Sequence, residues 1–150
     1  MLFFNHIPDI HEMYYFKKIE HTFSNHKLIK NHQKNILLNK TWETNSILGL
    51  NSKTRSYKLI KFKERKFVGV LTNFDKNANF TSNNVSFCGT DYFTKVEGKY
   101  EIIDNDKVKI RVDKVTYSGQ DKRPPEIRKP IYLIFKITKT SNGLILEIEK

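Results

Sequence analysis

The sequence predicts a mainly β protein, an antiparallel up-and-down β-barrel preceded by an N-terminal helical arm. Three observations carry this. Short apolar-alternating runs recur from Lys40 onward. Turn signals such as Asp104-Asn105-Asp106 and Asn142-Gly143 separate them. No helical pattern lies between the runs to carry the crossover that parallel strands need. At 150 residues and 38% hydrophobic content, the chain has the size of one domain with a sizeable core.

Residues 1–38 form the expected arm. Asp9 followed by Glu12 reads as a capping box. Ile10, Met13, Tyr14, Phe16, Ile19 and Phe23 then give a helical stripe. A second short helix runs from Ser24 or Asn25 towards Leu37. Residues 39–150 form the expected barrel domain, opened by Thr41-Trp42-Glu43-Thr44. Arg55 to Lys63 alternates, with Tyr57 and Leu59 competing against Ile60 and Phe62 for the inner face. Glu64-Arg65 turns the chain into a strand on which Val68, Val70 and Phe74 share a face. Lys76 to Asn84 reads as a polar connection, and Val85 to Cys88 as a short apolar strand.

Gly98 to Ile102 leads into the Asp104–Asp106 turn. The next strand sets Val108, Ile110 and Val112 against Lys107, Lys109 and Arg111. Its phase slips at Asp113-Lys114, after which Val115 and Tyr117 take the inner face, the signature of a β-bulge. Ser118 to Pro130 reads as a basic, proline-bearing loop. Ile131 to Thr138, a turn at Thr140–Gly143, and Leu144 to Lys150 form a closing hairpin. Seven to nine strands are expected, and closure would remove their exposed edges.

Trp42 in the first strand, Gly98-Lys99-Tyr100 before a hairpin, and Gly143-Leu144-Ile145-Leu146 at the end form a recognisable set. Together with the loop Cys88-Gly89-Thr90-Asp91-Tyr92, they resemble the small bacterial lipocalin-like and META-type domains over residues 40–150. The spacing from Tyr92 to Gly98 is longer than in that pattern. The resemblance implies a lipocalin-like closed barrel. Barrels of this kind host carriers, inhibitors, haem binders and structural modules, so function has to come from the site.

No catalytic set is legible, and no enzyme activity is expected. Cys88, the one cysteine, has no histidine near it in sequence and reads as a small buried hydrophobe. One cysteine excludes an internal disulfide and a multi-cysteine zinc site, and it points to a reduced, cytoplasmic setting. His6, His11, His21, His26 and His32 are never three or four apart, so no helix face presents two metal ligands. A lone histidine as an axial haem ligand is the alternative, but the reading is no cofactor and no metal. Asp104 and Asp106 sit in a turn rather than as an acid–base pair. Gly89 and Gly98 read as bend or bulge positions. No apolar run reaches the roughly 20 residues of a membrane span, and the first residues lack the basic and apolar regions of a signal peptide.

The net charge is +11, and it is spread out. Residues 1–40 carry six Lys/Arg and three Asp/Glu; residues 41–150 carry twenty-one and thirteen. Such a field favours anionic partners and also serves solubility. The chain is therefore expected to be a soluble, non-catalytic binding protein. The first expectation is a protein-binding module of inhibitor, immunity or anti-defence type. The second is a carrier holding a small apolar or anionic ligand against Trp42, Phe62, Tyr100, Tyr117 and Phe135. The third is a nucleic-acid binder using Lys58, Lys61, Lys63, Arg65 and Lys66, with Lys122, Arg123, Arg128 and Lys129.

Overall fold

The computed structural model of the protein describes residues 35–63, 68–87 and 91–149. The expected arm up to residue 34, with its five histidines, lies outside them, as do Arg65, Lys66 and Cys88. Eight strands follow in order: β1 (Lys40–Thr44), β2 (Ser56–Lys61), β3 (Gly69–Phe74), β4 (Asn79–Val85), β5 (Tyr92–Asp104), β6 (Lys107–Gly119), β7 (Glu126–Lys139) and β8 (Gly143–Ile148). They close into one antiparallel barrel.

The strand order departs from a strict up-and-down barrel at one place. Strands β3 to β8 run as a meander, but β1 is inserted between β2 and β3, and β8 closes onto β2. Trp42 of β1 thus faces Lys61 on one side and Thr72 on the other. The connection from β2 to β3 has to pass β1. Closure brings β8 tightly against β2. A side chain on Gly143 would put its first carbon 1.9 Å from the Leu59 carbonyl oxygen, so only glycine opens β8 there.

Two segments read as connections are strands. The polar run around Asn79–Val85 is β4, with Phe80 and Ser82 buried. The basic stretch up to Pro130 supplies the first third of β7. Proline is tolerated there because residues 128–130 form a bulge with no cross-strand partner, so no ladder bond is missing. The slip predicted at Asp113-Lys114 is real: the β6–β7 register shifts between Val112 and Lys114. A matching shift on β5 falls at Gly98, whose hydrogen faces the Arg111 carbonyl.

The interior is one hydrophobic cluster running from Trp42 to Leu146. Tyr57 meets Phe135 edge-on at 5.7 Å, and Phe74 meets Tyr100 edge-on at 4.9 Å. Two residues from outside the strands join it. Leu37 precedes β1, and Leu48 lies in the β1–β2 loop; both are wholly buried. Asn35 caps the turn that carries Leu37, accepting the Leu37 amide at 3.0 Å, and its own amide donates to the Tyr100 hydroxyl at 3.2 Å.

Candidate functional site

The five residues expected to line a ligand cavity have separate fates. Trp42, Tyr100 and Phe135 are part of the packed core. The Trp42 indole N–H is buried with no partner among the described residues. Phe62 is half-buried just past β2, its amide donating to the Thr41 carbonyl. Tyr117 is half-buried on β6, its hydroxyl donating to Glu126 Oε1 at 2.5 Å. That bond raises the Tyr117 phenol above its ordinary value.

The expected cations divide as well. Lys58, Lys61, Lys63, Lys122 and Lys129 are exposed. Arg123 is engaged: it forks onto Asp121 and stands 3.9 Å from the Tyr117 ring centre. Asp121 is held below the usual carboxylate value by that guanidinium. Arg128 donates to the Gly49 and Leu50 carbonyls at 3.3 and 3.0 Å, fastening the β1–β2 loop to β7. Neither arginine is a free anion contact.

The surface that stands out was not expected from sequence. Strands β5, β6 and β7 are about twice as long as the others. Strand β8 pairs with β7 only from Phe135 to Lys139, and one further bond joins the Glu149 amide to the Ile134 carbonyl. Among the described residues no strand covers residues 126–133 of β7 on that side. This open half carries Ile127, Ile131 and Tyr132, exposed by 77, 60 and 52%. Ile131 pairs with Val112, an inward residue, and yet is exposed. The sequence carries little signal for it, since the two closing runs, Ile131–Thr138 and Leu144–Lys150, are of nearly equal length.

The outer face of the same sheet is cationic. Cross-strand register sets Lys99, Arg111 and Tyr132 in one row, and Glu101, Lys109 and Ile134 in the next. Lys109 Nζ sits 4.4 Å from the Tyr132 ring centre. Arg111 pairs with Asp113 at 2.6 Å, which raises its guanidinium further above neutrality. The Lys99 ammonium donates to the Asn79 side-chain oxygen. Lys99, Glu101, Lys109, Arg111 and Tyr132, with Ala78 and Tyr100, line an open concavity of about 390 Å³. Among the described residues no group of three His, Cys, Asp or Glu could hold a metal ion, and no helix is long and apolar enough to cross a membrane. Comparison of the chain with family models, with curated proteins and with solved structures returns no match.

Proposed function

We propose that the protein is a non-catalytic binding module that docks an extended segment of a partner protein along the open half of β7. One observation carries this reading: β7 runs well past the end of β8 with its apolar residues exposed. An uncovered strand edge offers backbone donors and acceptors, and natural barrels otherwise close their edges. An added strand uses those groups for affinity and side-chain contacts for specificity. Ile127 and Ile131 supply the apolar contacts. Lys114, directly across from Ile127, and Lys129, two residues along β7, form no ion pair among the described residues. The partner segment is therefore extended, apolar along one face and acidic at its margins. The carrier reading receives less support, because Trp42, Tyr100 and Phe135 are engaged in the core.

The test is a photo-activated cross-linker placed at Ile127 of the full chain in its own host, compared with the same group at Lys58 on β2. A discrete protein adduct at 127, absent at 58 and lost in Ile131→Asp, is expected. Equal adducts at both positions, or none at 127, would sink the reading. An adduct to nucleic acid alone would move the function to the third expectation.

A further inference from the structure

The outer concavity is a separate feature from the edge, and its charges are arranged at a cost. Lys99 lies directly opposite Arg111 across β5 and β6. Like charges facing each other across strands destabilise a sheet. Asp113 offsets Arg111. Lys99 donates to the Asn79 side-chain oxygen and lies within electrostatic reach of Asp75, while Lys109 stands opposite Glu101 and against the face of Tyr132. Local rules are broken in folded proteins chiefly where function requires it. A second local rule is broken at the rim. Ala78, which lines the concavity, is held at φ 60, a left-handed conformation that alanine seldom adopts.

The chemistry of the lining is specific. Lys99, Lys109 and Arg111 supply positive charge for a phosphate, Arg111 only through the part of its guanidinium that is not forked onto Asp113. Tyr132 supplies a half-exposed ring, one face of which is occupied by Lys109. Glu101 is the one acid in the lining, and a carboxylate accepts hydrogen bonds from the exocyclic amine of a base. The concavity, about 390 Å³, lies within the roughly 300–1,000 Å³ of ligand clefts. Cations interleaved with an exposed aromatic on a sheet face are how single strands are held without sequence preference. We propose that this concavity binds a phosphorylated nucleoside unit, with the base on Tyr132 and the phosphate between Lys99 and Arg111. The residues differ from the basic segments read from sequence, and of the residues on the open half of β7 the site uses only Tyr132.

The unit could arrive as part of a single strand or as a free nucleotide, and one titration separates the two. Fluorescence anisotropy of the full chain would be measured with a labelled twelve-nucleotide single strand. The competitors are an unlabelled strand and AMP, over a series of salt concentrations. One stacked base is worth about 5- to 150-fold in affinity by alanine substitution. Tyr132→Ala is therefore expected to weaken strand binding by at least about fivefold. Lys99→Gln and Lys109→Gln are each expected to lower the salt slope by about one. Lys53→Gln, an exposed charge change in the β1–β2 loop outside the lining, should leave the stacking-dependent affinity unchanged. If AMP competes as well as the strand, nucleotide for nucleotide, and Tyr132→Ala weakens it equally, the concavity takes the free nucleotide. If wild type and all three concavity variants bind with the same affinity and slope, diffuse charge is responsible and the proposal fails. Absence of binding by both ligands also overturns it. Thermal midpoints within a few degrees of wild type confirm that the variants are folded.

Discussion

The Ser82 hydroxyl stands 2.7 Å from the Thr72 hydroxyl, and both side chains are wholly buried. Thr72 in turn lies 3.1 Å from the Thr44 hydroxyl, and Ser82 accepts the Leu48 amide at 2.9 Å. Three strands and one loop are thus linked by a short chain of hydroxyls inside an apolar core. Ser82→Ala leaves the Leu48 amide without its acceptor, at an expected cost of about 1–3 kcal/mol. Thr72→Val combined with Ser82→Ala is expected to cost less than the sum of the singles, by about 0.5 kcal/mol or more, because the partners disappear together. Urea denaturation of the four proteins measures this. Strict additivity would show that the hydroxyls do not act as a unit.

Ala78 and Gly98 make opposite predictions about small residues. Ala78 sits at φ 60, where an L-residue costs about 1–2 kcal/mol. Ala78→Gly relieves that and, after glycine's extra chain entropy, is expected to stabilise by about 0.5–1 kcal/mol. Gly98→Ala would place a methyl carbon 1.9 Å from the Arg111 carbonyl oxygen and 2.8 Å from the Phe80 ring. The sheet has to shift, at an expected cost of about 1–3 kcal/mol. Calorimetry should raise the midpoint of the first variant and lower that of the second. A reversal of either sign contradicts the backbone described.

Asp75 orders the β3–β4 turn and makes it pH-sensitive. Its carboxylate accepts from the Asn79 side chain and from the Asn77 and Asn79 amides, at 2.8 to 2.9 Å. The Asn79 side-chain bond is the main reason that its pKa lies below the ordinary 3.8. A folded pKa below the unfolded one means that the stabilisation is present above 3.8. It is lost as pH falls through the lower folded value. Amide exchange at Asn77 and Asn79 is expected to accelerate relative to neighbouring strands below that pH. In Asp75→Asn the acid-dependent part should vanish. An unchanged acid profile in that variant would remove Asp75 from the explanation.

The β1–β2 loop is pinned from two sides. The Tyr57 hydroxyl accepts the Gly49 amide at 3.1 Å in a buried site, and Arg128 donates to the Gly49 and Leu50 carbonyls from a partly exposed one. Tyr57→Phe keeps the edge contact with Phe135 but leaves the Gly49 amide unsatisfied, costing about 1–3 kcal/mol. Arg128→Ala is expected to cost less in global stability. It should still speed hydrogen exchange at Leu48–Leu50 by about 2- to 10-fold. Equal global costs for the two variants would contradict the difference in burial.

Much of the barrel was legible. Val108, Ile110 and Val112 are buried opposite Lys107, Lys109 and Arg111, as the alternation predicted. The hairpin turns at Asp104–Asp106 and Asn142-Gly143 hold, as does the bulge after Val112. The candidate surfaces were not legible. Whether Tyr57 or Ile60 faces inward could not be decided by a strand with apolar residues in both phases. The pairing of β2 with β1 and β8 buries Tyr57 and Leu59 and leaves Ile60 part-exposed.

By itself the sequence determined the class, the number of strands to within one, and the periodicity that makes each strand amphipathic. Those properties are local: side-chain spacing and turn chemistry act over a few residues. Only the tertiary structure decided that a polar run becomes β4, because its Ser82 meets Thr72 on the neighbouring strand β3 and accepts the Leu48 amide from the β1–β2 loop. It alone placed β1 between β2 and β3, and it alone left one half of β7 uncovered among the described residues. It also gathered Lys99, Lys109, Arg111 and Tyr132 from three strands onto one face. Each of these depends on which strand lies beside which, a choice made by closure of the whole sheet and written in no single segment.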